Sequence, residues 1–432
     1  LPGIEIDRNK VPNASQSLKE TDMNNSTATT IVDLLGEKLT GVTIKDVQNS
    51  PFQKNLDYRG FTAAPLLGES QGLAVYLNGT RINEGFGDTL QWELVPEAAL
   101  TNIDLMSANP VFGLNALGGS LALTTKKGLD YLNTDSSIEN HFEVGGADWV
   151  NGNIELGAGT ETQGLYVAME NSYDGGWRDN SAGDVKRLFV NYGILGDNFD
   201  YDFTFMNADS NLNGNGVSPT ELLKVRRESV FTWPDFTSNK VYLAASNANF
   251  YLEDDSAINT SIYYRRLIRD TMNADELDAE ECAEDNETHA EQMEDDFGTA
   301  DEPICGEADG DNYEVLIDQY GNAISNNDSI RKYGLLNHSS TMTVTWGGSA
   351  QYNINTNYLD KMHNIIVGAS IDKTRTAFHS RGELGQLHNN RTVTNLLNTE
   401  GGHITLESIR EHSGASGGME DENERGDVGS AQ

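Results

Sequence analysis

The sequence predicts two unlike pieces: a small α+β domain at the N-terminus, then the antiparallel strands of a transmembrane β-barrel. Three observations carry this. The hydrophobic period switches to two near residue 135. The loops between the later strands alternate short and long. No apolar run approaches the roughly 18–20 residues that a membrane-spanning helix needs. That excludes helical membrane proteins but not barrels, whose alternating strands keep mean hydropathy low (−0.51 here).

Composition narrows the function classes. The 432 residues carry 29 Lys+Arg against 67 Asp+Glu, a net charge of −38. Nucleic acid is excluded as a partner, because phosphate needs a basic face. Hydrophobic residues make up only 37%, yet 5 Trp, 16 Tyr and 14 Phe supply aromatic anchors, with 43 Gly and 9 Pro. Many glycines and aromatics with few prolines suit β-structure with one wet face. The length suggests two or more domains.

Within the first piece, Thr30–Leu35 reads as a short helix after a polar stretch able to cap it. Gly41–Ile44 and Leu73–Leu77 read as strands, and Asn78-Gly79 as a hairpin turn. Trp92–Pro96 leads into a helical turn, Ile103–Met106 forms a strand, and Gly118–Thr125 closes the unit. Beyond residue 135, Val150, Ile154 and Leu156 alternate with Asn151, Asn153 and Glu155. Phe199, Tyr201, Phe203 and Phe205 alternate with Asp200, Asp202 and Thr204. Ile365, Val367, Ala369 and Ile371 repeat the pattern, and 165–171, 188–194, 241–252, 261–269 and 342–352 are further strands. Most are expected to run roughly seven to twelve residues, near the length that crosses a hydrocarbon layer when tilted. A soluble sandwich also alternates. It has no reason, however, to keep short turns such as 159–163 and 196–198 on one rim and long loops such as 172–184, 209–239 and 270–339 on the other, and aromatics near strand ends, such as Trp149, fit interfacial girdles.

The only cysteines, Cys282 and Cys305, lie without Cys or His pairs that would make a zinc site. A disulfide closing an exposed loop is the preferred assignment and implies an oxidising compartment; the alternative is two unpaired surface thiols. Between Asp275 and Asp311 stand 17 Asp/Glu and no Lys or Arg. A solvating loop is the simpler account. A cation-binding one stays open, without the spacing of an EF-hand loop. No Gly-x-Ser-x-Gly, His-Glu-x-x-His or phosphate loop occurs, so no catalytic residues and no cofactor are assigned.

Five segments in order resemble the plug domain of TonB-dependent outer-membrane receptors. Pro51–Phe61 ends in Arg59-Gly60-Phe61, similar to that family's R-G-F element. Val75-Tyr76-Leu77-Asn78-Gly79-Thr80-Arg81 looks like its V-Y-x-D-G-V-R element, and Gly87–Ala99 like the segment leading to I-P-x-x-A-I. Asn109–Gly119 looks like its glycine block, although Ser107-Ala108 replace the usual R-G ahead of it. Thr124-Thr125-Lys126 stands at the I-x-T-K ending. The resemblance implies a plug domain (1–133) inside an antiparallel transmembrane β-barrel (134–432). It also implies an incomplete barrel, since roughly nine or ten strands are visible where the family has roughly 22. The end of the chain is polar and lacks the family's terminal aromatic residue, so the chain is expected to be a fragment, and an energy-coupling box is expected upstream of Leu1.

The function so implied is energised uptake of a scarce small-molecule ligand, such as a ferric siderophore, across the outer membrane of a Gram-negative bacterium. The partners are outer-membrane lipid and a TonB-type inner-membrane energy-coupling complex. Asn83, Glu84, Phe86, Asp88 and Trp92 are the ligand-facing candidates of the plug. Arg59, Gly60, Arg81, Gly113, Gly118 and Gly119 are structural candidates, the two arginines expected to pair with carboxylates in the lumen. A passive porin-like channel and a secreted β-rich binding protein are the alternatives. The first has no use for a separate N-terminal domain, and the second would bury its outward apolar faces under a second sheet.

Overall fold

The computed structural model describes residues 14–107, 115–146, 148–252, 256–282, 303–307, 313–327, 330, 332–358, 361–397, 403–406 and 426–431. Gly113 and most of the acidic segment 275–311 lie outside them.

The N-terminal unit runs β1 (Ser15–Lys19), α1 (Glu20–Asn24), α2 (Ile31–Lys38), β2 (Val42–Asp46), β3 (Lys54–Tyr58), β4 (Phe61–Ala63), β5 (Leu73–Leu77), β6 (Thr80–Arg81), β7 (Leu100–Ser107) and β8 (Gly119–Thr125). Thr30 caps α2 by accepting from the Asp33 N–H, and the helix buries Ile31, Val32, Leu34 and Leu35 at helical spacing. All five residues of β5 are buried. A strand covered on both faces needs such an unbroken apolar run. It sits in a mixed sheet ordered β1-β7-β8-β5-β6, parallel to β8. Asn78 and Gly79, both with positive φ (48° and 86°), make the tight turn into β6. The strands β2-β3-β4 form a second, antiparallel sheet.

The remaining strands build one antiparallel wall. In chain order come β9 (Ser137–Val144), β10 (Val150–Gly159), β11 (Gln163–Asp174), β12 (Gly183–Leu195), β13 (Phe199–Asn213), β14 (Asp235–Tyr251) and β15 (Ala257–Leu277). The helix α3 (Thr220–Val225) lies between β13 and β14. A small sheet of β16 (Ala279–Glu281), β17 (Ile304–Glu307) and β18 (Tyr313–Val315) then precedes β19 (Tyr333–Tyr358) and β20 (Lys361–Leu387). The short β21 (Val393–Asn395), β22 (Thr405–Leu406) and β23 (Gly426–Ala431) all pair with β20. The wall order is β21-β20-β19-β15-β14-β13-β12-β11-β10-β9. Among the described residues β9 has no neighbour on its far side, so the barrel is incomplete.

Side chains alternate as the period demands. Along β12, Val185, Arg187, Phe189 and Asn191 are buried, with Leu188, Val190, Tyr192 and Ile194 on the other face. Outward residues such as Met169, Ile262, Trp346 and Val367 are exposed and apolar, with no second sheet over them among the described residues. Inward residues from β11 to β15, among them Tyr166, Phe189, Met206, Leu243 and Leu267, share one core with Leu56, Trp92 and Ile103 of the N-terminal unit. The wall thus packs around that unit.

Three sequence expectations need correction. The strands outgrow twelve residues, reaching 27 in β20, because the hairpins continue as paired ribbons past the apolar belt. The segment 270–339 is not one loop, since β15 extends to Leu277, β19 starts at Tyr333, and three short strands lie between. Trp149 is not an interfacial anchor; it is buried and stacks on Phe52 with ring centres 5.5 Å apart.

Candidate functional site

The seam between the N-terminal unit and the wall is polar where the chemistry concentrates. On the short-helical-turn segment 92–99, Glu93 is buried. Its carboxylate accepts from Asn239 Nδ2 of β14 at 2.7 Å and from Ser210 Oγ of β13 at 3.4 Å. Arg187 of β12 donates from Nε to the Glu93 carbonyl oxygen at 2.6 Å. The same guanidinium pairs with Glu97 at 3.1 Å and with Glu170 of β11 at 3.0 Å. Arg265 of β15 pairs with Glu84 at 2.5 Å, and Arg269 donates to the Pro65 carbonyl oxygen at 2.9 Å. Burial pushes the carboxyls of Glu84 and Glu93 above the usual range; Arg265 opposes this at Glu84, while backbone hydrogen bonding and Arg269 do so at Glu93.

Toward the short-turn rim the signs reverse. Here the N-terminal unit supplies the cations. Lys126 pairs with Glu155 of β10 at 2.6 Å and with Glu20 at 3.0 Å. Burial opposes its charge, yet the Glu155 and Glu20 carboxylates overcome that and hold the amine above its ordinary value. Lys127 pairs with Asp202 of β13 at 3.4 Å. Gly128 and Gly164 meet backbone to backbone, where a Cβ on either would collide with the other's carbonyl oxygen.

The candidates from 83–92 divide by burial. Phe86 is 40% exposed and its ring lies 5.7 Å from that of Phe378 on β20. Asp88, half-buried, bonds Arg81 and Asn115, and burial raises its carboxyl against the pull of Arg81. Asn83 is buried because its carboxamide accepts from the Val75 N–H at 2.7 Å and donates to the Leu73 carbonyl oxygen at 3.0 Å. Glu84 is taken up by Arg265. Trp92 is 1% exposed, and its indole N–H donates to the Ala63 carbonyl oxygen at 3.0 Å. In this state those three present no open surface.

The structural candidates have local causes. Arg81 forms an ion pair with Asp88. Arg59 forms none among the described residues; it is exposed, with its guanidinium 5.0 Å from the Tyr58 ring centre. Arg59 and Gly60 both take positive φ, 56° and 86°, in the turn joining β3 to β4. A Cβ on Gly119 would sit 2.5 Å from the Met106 carbonyl oxygen, and one on Gly118 would strike the Phe61 ring. At the long-loop rim a disulfide joins Cys282 to Cys305 with Cα atoms 5.0 Å apart. No cluster able to hold a metal ion occurs among the described residues.

Sequence reasoning missed Arg187, Arg265, Arg269, Glu93 and Glu97. The available signal was an arginine in the inward register of an alternating strand, as in Val185-Lys186-Arg187-Leu188-Phe189. A charge there must find a partner inside.

The geometry defines a class: a β-barrel wall whose lumen is occupied by a separately folded domain, held by buried ion pairs. The family model described as TonB-dependent Receptor Plug Domain matches residues 7–120. Among solved structures, the unliganded ferric citrate transporter FecA aligns with a TM-score of 0.60 at 13% identity, over 86% of this chain and 49% of that one. The ferripyoverdine receptor of the outer membrane of Pseudomonas aeruginosa aligns with a TM-score of 0.59 at 11% identity, over 89% and 45%. The ferric yersiniabactin uptake receptor FyuA from Yersinia pestis gives 0.51 at 11%, over 97% and 60%. No curated protein sequence matches the chain. The chain therefore carries a TonB-dependent receptor plug domain joined to part of the barrel of that fold, and spans about half the length of the first of these structures.

Proposed function

We propose that the protein is an outer-membrane receptor that imports a scarce ligand, such as a ferric siderophore chelate, using energy delivered by a TonB-type inner-membrane complex. The observation that carries this is the plug seated in the wall through paired buried charges. A passive channel has no use for an obstruction so held. Residues 1–133 act as the plug and 134–432 as the first part of the wall. The exposed apolar residues Ile262, Trp346, Val367 and Ile371 face lipid. Phe86 and Asp88 lie on the plug surface open to the ligand. No bond in the ligand is made or broken, so the protein is no enzyme and its residues bind, obstruct and release. The similarity to siderophore receptors supports an iron chelate as the ligand class. The test is accumulation of radiolabelled iron chelates by cells carrying the full-length receptor. Uptake is expected to cease when the proton gradient is collapsed; uptake that persists refutes the energised mechanism.

A further inference from the structure

At the long-loop end of the β19–β20 ribbon, His338, Arg381, Glu383 and His403 meet. His338 of β19 and Arg381 of β20 stand opposite each other in register, and Glu383 follows two residues on, so the three share one face of the ribbon. His403 comes from the strap formed by β21 and β22, which both pair along β20; Leu397 and His403 bridge within it. The Glu383 side chain is 3% exposed and fully engaged. Its Oε1 takes Arg381 at 2.9 Å, and its Oε2 takes His403 Nδ1 at 2.8 Å and the Asn395 carboxamide. His338 Nε2 lies 3.6 Å from that second oxygen, outside hydrogen-bond range. It is buried and has no hydrogen-bond partner among the described residues.

The strap secures the small sheet that the disulfide closes. Leu396, Ile404 and Leu406 pack with Ile304 of β17, Leu316 and Leu384. The Leu384 N–H donates to the Ile404 carbonyl oxygen at 2.8 Å, and the Leu396 N–H to the Leu384 carbonyl oxygen at 3.0 Å. Other charged groups flank the cluster. Asp270 of β15 and His379 of β20 each stand opposite Ser340, two positions along from His338. Glu276 of β15 is taken by Lys332, and Asp318, bridged to Leu406, accepts from the Tyr320 and Asn322 N–H groups. Opposite His338 itself on β15 is the apolar Met272. A proton on His338 therefore places a second cation opposite Arg381, in a buried position where the adjoining carboxylate is already engaged. Burial holds the imidazole below its ordinary value against the pull of Glu383, with Arg381 and His403 adding to the effect. Burial opposes the charge of Glu383, yet His403, His338 and Arg381 hold its carboxyl below the ordinary value.

We propose that this cluster is a proton-sensitive clasp: with His338 neutral, Glu383 holds the strap against the β19–β20 ribbon, and a proton on His338 lifts the strap and frees the small sheet packed on it. The sign follows from the surroundings. With the strap lifted, water reaches the imidazole and its proton affinity returns to the ordinary range, so acid favours the lifted state. The hold is complete above about pH 6.5 and declines as the pH falls below that. The clasp goes beyond the uptake function and stands whichever ligand the receptor imports.

The test is native-state hydrogen exchange of the purified full-length receptor at about pH 7.5 and about pH 5.5, on either side of the ordinary histidine range. Exchange is expressed as protection factors, which divide out the intrinsic pH dependence. Protection at the Leu384, Leu396 and Ile404 amides is expected to fall roughly threefold or more on acidification. His338→Gln is expected to keep the protection at the higher pH within about twofold and to abolish its pH dependence, since neutral His338 has no hydrogen bond to lose. His403→Gln, which removes a partner of Glu383 but not the buried imidazole, is expected to lower protection at both pH values and keep the dependence. A second readout needs no variant: the imidazole resonances of His338 in the wild-type receptor are expected to titrate below the ordinary histidine value. Protection that stays level or rises on acidification overturns the assignment. So does a pH dependence that survives His338→Gln or vanishes only in His403→Gln, or a His338 that titrates at or above the ordinary value.

Discussion

Replacing Arg187 by Leu tests whether the plug is held by its buried charges. Arg187 has a 3% exposed side chain and serves three oxygens: the Glu93 carbonyl, Glu97 and Glu170. Glu170 is buried with it, its side chain 4% exposed. Without the guanidinium, two carboxylates face each other in the seam and a carbonyl oxygen loses its donor. Breaking a buried pair by removing one partner costs about 3–5 kcal/mol. At about 1.4 kcal/mol per decade that raises the opening equilibrium of the seam by roughly two to nearly four decades. The assay is native-state hydrogen exchange at the amides of Leu94, Val95 and Ala99, which close the helical turns of 92–99. A second variant, Arg187→Leu with Glu170→Gln, removes one of the orphaned charges and is expected to recover part of the protection. A solvent-screened pair would contribute only about 0–1 kcal/mol. Exchange accelerated less than tenfold, or accelerated equally in β19 and β20, refutes the seam as the element that holds the plug.

Other expectations follow from the same geometry. Gly164→Ala places a Cβ against the backbone carbonyl of Gly128, where no side chain can yield, so it is expected to cost about 1–3 kcal/mol, read as a lowered melting temperature. Cys305→Ser opens the ring closed across a sequence separation of 23. A loss of about 3 kcal/mol is expected as roughly hundredfold faster exchange at the Ile304 and Leu316 amides, with the plug unaffected. Because burial raises the Glu93 carboxyl, the folded state takes up its proton more readily than the unfolded one. Stability from this residue therefore falls as pH rises above the ordinary carboxylate range. The stability of wild type relative to Glu93→Gln is thus expected to decline as pH rises above the ordinary carboxylate range, and a difference that grows with pH contradicts the assignment.

Local rules made much of the fold legible. The alternation in 199–205, the unbroken Leu73–Leu77 and the Asn78-Gly79 turn each encode one conformation through neighbours in sequence. The long extensions of β19 and β20 were illegible because polar residues occupy both faces of the strand there, as in Ser339-Ser340-Thr341 and Arg375-Thr376. Nothing then alternates. Three short strands hide in a segment whose charge reads as solvated loop. The seam was missed for a different reason. Glu93 and Arg187 lie 94 positions apart, and only tertiary packing reveals that one needs the other. Trp92, in a stretch chosen for its surface, is anchored inward through its N–H to Ala63, a long-range bond that local sequence does not encode.

The reversal of sign along the seam explains why the plug sits in one orientation. In the half nearer the long loops the plug contributes carboxylates, Glu84 and Glu97, and the wall contributes Arg265 and Arg187. In the half nearer the short turns the plug contributes Lys126 and Lys127, and the wall Glu155 and Asp202. Turned end for end, every one of these pairs would meet a like charge in a poorly solvated space, where repulsion is strong. Apolar contacts alone would not discriminate so sharply, since Leu, Met and Phe faces pack acceptably in more than one register. Buried ion pairs add little net stability over well-packed apolar groups. What they add here is a unique seat. The same groups remain well solvated if the seam opens and water enters, whereas an apolar seam would expose greasy surface on both partners. A polar seam with opposed signs at its two ends therefore holds the plug in register while keeping the opened state accessible.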